Sequence, residues 1–192
     1  MQSGPRKKVA ARAVLVFLSV YFVSLLVWIP IKGGYGYVIT TIASKLAAGL
    51  GDAKVEEISS AKDVVQATFT PLSKRSDMLV DIPVRTSSYT FNTPLTAGIM
   101  AVLYPFIARR ARAYSEALAM LFSVHLLFVF SFEAKELTEV FMSQGLAVSN
   151  SPRSAAYQFL WGFVDNMVIR FEPFLIGFYL FLRFGRKKET AD

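Results

Sequence analysis

Long apolar stretches with few charged residues dominate the chain. Residues 13–29 hold only apolar side chains and two serines, and residues 95–108 carry no charge at all. About 20 consecutive apolar residues are needed for a helix to cross the hydrocarbon core of a bilayer. The pattern therefore predicts a membrane α-helical protein with four transmembrane helices, at residues 9–31, 94–108, 117–132 and 155–184.

The second of these stretches is the shortest, and its boundaries carry the clearest signals. Pro94 suits the first turn of a helix, where its missing N–H is not needed, and the Thr93 side chain is expected to cap that turn. Residues 94–108 rise only about 22 Å as a helix, less than the roughly 30 Å core. We therefore expect the helix to begin before Pro94 or to run past Arg109, with a kink at Pro105.

Positive charge predicts how the chain is threaded. Eleven of the 21 lysine and arginine residues fall in three clusters beside apolar stretches: Arg6, Lys7, Lys8 and Arg12; Arg109, Arg110 and Arg112; Arg183, Arg186, Lys187 and Lys188. Such clusters remain on the cytoplasmic side of a membrane. Four crossings place all three clusters on that side, so we expect both termini to be cytoplasmic. The first apolar run exceeds the usual 7–15-residue core of a secretory signal, which favours an uncleaved first crossing.

Residues 52–93 have a different pattern, in which apolar and polar side chains alternate. The apolar positions are Val65, Ala67 and Phe69, and then Val80, Ile82 and Val84. A period of two predicts two antiparallel strands with one buried face, separated by the polar turn 71–77. Residues 54–58 can add a third strand, and Pro83 places its strand at an edge. We expect a small extracytoplasmic antiparallel β unit between transmembrane helices 1 and 2.

Two amphipathic segments complete the predicted organisation. In residues 37–50, Val38, Ile39, Ile42, Leu46 and Leu50 recur at helical spacing, so this segment either continues the first crossing or lies on the membrane surface. Residues 133–155 or so are expected to form an extracytoplasmic amphipathic connection. The predicted divisions are thus residues 1–51, residues 52–93, and residues 94–192 with their basic cytoplasmic tail.

Composition limits the chemistry. The chain is 54% hydrophobic and has no cysteine and one histidine, His125. No metal site or cofactor is expected from this inventory, and no nucleotide-binding or hydrolase motif is present, so an enzyme acting alone is not supported. The net charge is +7, and the excess lysine and arginine residues lie at the ends of the predicted transmembrane helices. This placement favours the lipid bilayer over nucleic acid as partner. For His125, a structural hydrogen bond to a neighbouring helix is favoured over a catalytic role.

The outer half of the fourth stretch is the first candidate site. It carries Asp165, Asn166, Arg170 and Glu172, and ionisable groups in a membrane helix usually face a partner or a wet cavity. Gln158 and the two acidic residues recur every seven positions, which predicts one stripe on a continuous helix. The functional interpretation is a polar site for a partner or substrate; the structural alternative is an ion pair between helices.

The end of the β unit is the second candidate. An exposed strand edge can accept a strand from another protein, and Tyr89, Phe91 and Asn92 follow that edge. These three residues are therefore candidate partner contacts. The alternative is that the β unit only caps the helices.

Two segments carry a resemblance to a known family. The first crossing ends in WIPIKGGYGY at residues 28–37, and the β unit leads into SSYTFNTPLTAGIMAVLYPF at residues 87–106. With the order of crossings, these segments resemble the exosortase H-associated membrane protein family. Its members are small bacterial inner-membrane proteins found with an exosortase, a transpeptidase-like enzyme that processes proteins bearing a C-terminal sorting signal.

The resemblance implies a non-enzymatic accessory role, in which the protein stabilises an exosortase or presents its substrate. The exosortase itself requires a catalytic cysteine, which this chain lacks, so no catalytic residue carries over. The alternative function is a small membrane component of envelope assembly or transport. In that case the polar fourth stretch would handle a lipid-linked or ionic substrate.

Overall fold

The structure, a computed structural model, describes residues 5–72, 78–146 and 152–185, with side chains from residue 8 onward. It is mostly helical and contains one small antiparallel sheet of three strands. The elements in chain order are α1 (Pro5–Gly51), β1 (Ala53–Ala61), β2 (Val64–Pro71), β3 (Val80–Arg85), α2 (Ser87–Thr90), α3 (Asn92–Leu103), a 3₁₀ turn (Tyr104–Phe106), α4 (Arg110–Ser143), α5 (Pro152–Phe163), a π-helical turn (Val164–Val168) and α6 (Ile169–Phe184).

Helix α1 runs without interruption through 47 residues. It includes residues 37–50, so this segment continues the first helix instead of forming a separate one. Pro30 lies inside the helix, where its missing N–H removes one i→i−4 hydrogen bond. The helix ends at Gly51, and Asp52 follows with a left-handed φ of 52°.

Four of the five apolar residues that defined the amphipathic pattern of α1 lie on its outer face, and the fifth, Ile39, is fully buried. Val38 and Leu46 are about half exposed, whereas Thr40 and Ser44 are fully buried. Small side chains on the inner face let helices approach closely, as in membrane helix packing, where outward apolar side chains cost nothing in lipid.

The three strands are arranged in the order β1-β2-β3, with both neighbouring pairs antiparallel. The predicted alternation is confirmed: Val65, Ala67 and Phe69 in β2 are buried, as are the corresponding positions of β3. Pro83 is in the edge strand β3, as expected. Part of the predicted turn 71–77 lies outside the described residues.

Helix α3 begins before Pro94, which is one of the two extensions expected from its length, but its N-terminal cap and its C-terminal end differ from the prediction. It begins at Asn92, and the residue preceding it, Phe91, makes no side-chain cap hydrogen bond. Thr93 is inside the helix, so the predicted Thr93 cap was wrong. At the other end Pro105 lies in a 3₁₀ turn, after which Ile107 is extended with ψ 127°. The helix therefore stops before the arginine cluster, with no kinked continuation through it.

The last two apolar stretches also differ from the prediction. Helix α4 has 34 residues, so it takes up much of the expected amphipathic connection at 133–155; residues 147–151 of that connection lie outside the described part of the chain. In the fourth stretch, a π-helical turn separates α5 from α6. A π turn inserts one extra residue into the helix, so the seven-residue register of Gln158, Asp165 and Glu172 is lost.

The chain divides into two compact units. The terminal unit comprises the described residues within Met1–Pro30, Phe91–Leu121 and Phe171–Asp192, and the sheet unit those within Ile31–Thr90 and Phe122–Arg170. In the sheet unit, Ala67 and Phe69 of the sheet pack with Ala47 of α1 and with Leu137 and Phe141 of α4. In the terminal unit, Met100, Leu121 and Ile176 belong to one apolar core.

Two helices in the described part of the chain are long and apolar enough to cross a membrane. They are residues Lys8–Gly51 and helix α4, judged by length and composition alone.

Candidate functional site

The only histidine lies at the centre of an aromatic cluster in the sheet unit. His125 is fully buried, and its Nδ1 is 2.8 Å from the hydroxyl oxygen of Tyr35. The Tyr89 ring meets the imidazole edge-on, with centroids 5.4 Å apart, and lies 5.4 Å from the ring of Phe128. The Tyr35 contact agrees with the structural role that the sequence analysis favoured for His125.

Tyr89 belongs to this core. It is fully buried, and burial raises the pKa of Tyr89 to about 12, so the phenol is neutral at physiological pH. The predicted role of Tyr89 as a surface contact for a partner is therefore wrong, because the ring already packs against His125 and Phe128. Phe91, two residues later, has 53% of its surface exposed and retains that predicted role.

A second buried polar group in the sheet unit is the pair Ser44–Glu133. The Ser44 hydroxyl donates a hydrogen bond of 2.8 Å to Glu133 Oε1, and both residues are fully buried. Sequence reasoning missed this site because it assigned Glu133 to a solvated connection together with Lys135, Glu136 and Glu139. Those three form ion pairs at the surface of α4. The available signal was the spacing, since His125, Val129, Glu133 and Leu137 recur every four residues along one buried face.

In the terminal unit, Asn92 and Glu172 form a third buried polar pair. Each has 1% of its surface exposed, and the Asn92 amide donates a hydrogen bond of 3.0 Å to Glu172 Oε2. This contact joins the first turn of α3 to the first turn of α6. The sequence named both residues but assigned them to different candidate sites, because no pattern in one chain shows that residues 80 positions apart meet.

The remaining polar residues of the fourth stretch do not share the environment of Glu172. The Asn166 side chain is exposed and donates to the carbonyl oxygen of Gly162, four residues earlier. Arg170 is exposed. Asp165 is half-buried and lines a cavity of about 320 Å³ in the sheet unit with Arg85, Phe132 and Trp161. The predicted stripe of Gln158, Asp165 and Glu172 is divided among three environments: Gln158 is exposed and Asp165 half-buried, whereas Glu172 is buried. The π turn between them changes the helical register.

The hairpin turn of the sheet is held by a charged contact. Lys32 Nζ of α1 lies 2.7 Å from Asp63 Oδ1, and the Ser87 hydroxyl donates to the other carboxylate oxygen. Partial burial raises the pKa of Asp63, but the hydrogen bonds from Lys32 and Ser87 and the lysine charge outweigh it and lower the pKa below its usual value. The contact ties the turn between β1 and β2 to α1.

No group of three or more potential metal-binding side chains occurs in the described ranges. Comparison of the chain with known protein families, curated proteins and solved structures finds no match. Any function must therefore be argued from the arrangement of these residues.

Proposed function

We propose that this protein is a multi-pass bacterial inner-membrane protein without catalytic activity of its own, acting as an accessory partner of an exosortase. In this proposal the chain crosses the bilayer four times, both termini are cytoplasmic, and the sheet is extracytoplasmic. The single observation that carries the membrane part is the extent of outward apolar surface: many large apolar side chains are exposed, while several polar side chains, including Glu133 and Glu172, are buried.

Helix α6 provides the clearest example. Phe174 and Phe178 have 61% and 63% of their surface exposed, while Glu172 between the helices has 1%. In α1, Leu15 and Leu26 are likewise 65% and 71% exposed. Exposed apolar surface of this extent is unfavourable in water and favourable in lipid. A bilayer is therefore the environment that best accounts for these faces.

The length of the short helix α3 is also consistent with the proposed membrane placement. Its twelve residues and the following 3₁₀ turn rise about 24 Å together, somewhat less than the bilayer core. Arg109 and Arg110 come next in the chain, and long basic side chains can extend to the headgroups from slightly below the interface. A short span is then consistent with a crossing that ends at the cytoplasmic surface.

The non-enzymatic part of the proposal is supported by what the buried polar groups do. His125, Glu133 and Glu172 are the chemically capable groups of the interior, and each is hydrogen-bonded to a side chain of another helix. Such contacts fix helix packing. The alternative role in substrate transport has less support, because Asp165, Arg170 and Glu172 do not converge on one site.

The exosortase part is supported by the resemblance of residues 28–37 and 87–106 and by the exposure of Phe91. The test is co-expression of the tagged protein with the exosortase of the same genome, followed by capture from a mild detergent. We expect the exosortase to be recovered with the wild-type protein and with Phe22→Ala, in which an outward apolar ring of α1 is removed.

We expect Phe91→Ala to lower the recovery several-fold. Equal recovery of the exosortase with Phe91→Ala and with the wild-type protein would show that Phe91 is not part of the interface between the two proteins. Failure to recover the exosortase with the wild-type protein, in detergent that keeps both proteins monodisperse, would contradict the proposed partnership.

A further inference from the structure

A basic pocket lies at the end of the terminal unit where α4 begins and α6 ends. It has a volume of about 260 Å³ and is lined by Ala108, Arg109, Arg112, Arg183, Phe184 and Gly185. The backbone N–H of Ala108 donates to the Phe184 carbonyl at 2.7 Å, and Ile107 and Gly185 form an antiparallel bridge. The pocket is therefore built on a backbone connection between two chain segments more than 70 residues apart.

One carboxylate holds two of the three arginines in place. Glu116 Oε1 accepts from Arg112 Nε at 3.1 Å and lies 3.3 Å from an Arg183 nitrogen. Its other oxygen accepts from the Tyr179 hydroxyl at 3.2 Å. Three guanidinium groups against one carboxylate leave two positive charges in excess. Each guanidinium has five N–H donors in a planar fork, so both engaged arginines retain donors for a further acceptor.

Arg109 is the third arginine, and its situation differs. Its side chain is exposed and makes no hydrogen bond or ion pair with the parts of the chain that the structure describes. Helix α4 starts at the next residue, so backbone N–H groups at a helix N-terminus lie close in sequence to the free guanidinium. Arginine forks and N-terminal amides both favour phosphate oxygens.

We propose that this pocket binds the phosphate group of an anionic phospholipid. Basic pockets between membrane helices on the cytoplasmic side bind lipid head groups of this class. The preference of the pocket for a phosphate group follows from the three arginines alone. That this phosphate belongs to a lipid rests on the membrane placement proposed above. The two parts can fail separately, and the experiment distinguishes them.

The test uses the full-length protein, delipidated in detergent, and measures retained lipid by native mass spectrometry. The probes are phosphatidylglycerol and cardiolipin, with phosphatidylcholine as the neutral-headgroup comparison and inorganic phosphate as the soluble source. The variants are Arg109→Gln and Arg109→Lys. The matched control is Lys62→Gln, because Lys62 is also an exposed cation with a left-handed φ, 57° against 51° at Arg109.

We expect Arg109→Gln to weaken phosphatidylglycerol retention about fivefold, since one basic side chain near a lipid surface contributes roughly that factor. Arg109→Lys should retain most of the binding, and Lys62→Gln all of it. An equal loss in Lys62→Gln would overturn the pocket as a phosphate site. Equal retention of phosphatidylcholine, which carries the same phosphate beside a quaternary ammonium group, would overturn the selectivity for anionic lipid. Inorganic phosphate binding that depends on Arg109, without selective retention of anionic lipid, would overturn the lipid as its source.

Discussion

At the scale of single residues, two buried carboxyl groups each accept a hydrogen bond from a side chain on another helix: Glu133 from Ser44 and Glu172 from Asn92. Ser44 and Glu133 share a hydrogen bond of 2.8 Å in the core of the sheet unit. A buried carboxyl group that loses its donor suffers a desolvation penalty that no other contact replaces. The spacing of Glu133 with His125 and Leu137 could place it on a buried face, but no pattern in the sequence shows that its partner is Ser44, 89 positions earlier.

We therefore predict that Ser44→Ala destabilises the protein by about 1–3 kcal/mol. The measurement is thermal or denaturant unfolding in detergent, with Ser60→Ala in the exposed face of β1 as the matched control, expected to change stability by less than about 0.5 kcal/mol. Glu133→Gln should cost less than Ser44→Ala, because a glutamine carbonyl still accepts from Ser44. Equal stability of the Ser44 and Ser60 variants would contradict the buried contact.

Asp63 gives a pH-dependent prediction at the same scale. Its pKa is lowered in the folded protein, so its stabilising contribution is complete above the unfolded value of about 3.9 and is lost as the pH falls through the folded value. We expect Asp63→Asn to cost up to about 1 kcal/mol at pH 7, a small figure for a partly exposed pair. The difference from wild type should disappear in strong acid.

The control is Glu57→Gln, an exposed carboxylate of β1, which should follow the wild type at every pH. A destabilisation by Asp63→Asn that stayed constant down to pH 2 would show that Lys32 and the carboxylate charge do not stabilise the fold.

At the scale of elements, the strands could be predicted from sequence and the helix faces could not. In β2 and β3 one face packs against the core and the other faces water, so apolar and polar residues alternate along each strand. A period of two in the sequence therefore shows directly which residues are buried. In α1 the outward face is as apolar as the core, which agrees with the proposed membrane placement, because lipid does not reward burial of leucine. What selects the inner face is small size, as at Gly36, Thr40 and Ala43. No pattern in the amino-acid sequence marks the π-helical turn before α6.

The close approach at Gly36 yields a prediction with a control in the same helix. A Cβ at Gly36 would lie 2.3 Å from Thr86 Oγ1, whereas nothing is within 4 Å of one at Gly34. Gly36→Ala should therefore destabilise the protein by about 1–3 kcal/mol through overpacking. Gly34→Ala should stabilise it by about 0.5–1 kcal/mol through helix propensity. Unfolding midpoints that move in the same direction for both variants would contradict the packing of α1 against Thr86.

At the scale of the whole molecule, the account depends on how the chain is threaded. Three clusters of basic residues flank the apolar stretches, and two helices have the length and composition to cross a membrane. The exposed apolar faces of α1 and α6 extend that interpretation to the remaining stretches. Charge placement and outward apolar surface are independent features, and both are explained by one bilayer with the sheet on its extracytoplasmic side.

The most direct test of that threading is cysteine labelling, which is clean because the chain has no cysteine. Ser60→Cys in β1 and Ser115→Cys near the start of α4 each introduce one thiol at an exposed position. A membrane-impermeant maleimide added to spheroplasts should label Ser60→Cys at once and Ser115→Cys only after the membrane is permeabilised. Labelling in the opposite order, or of both before permeabilisation, would contradict the proposed placement of the sheet outside and the arginine cluster inside.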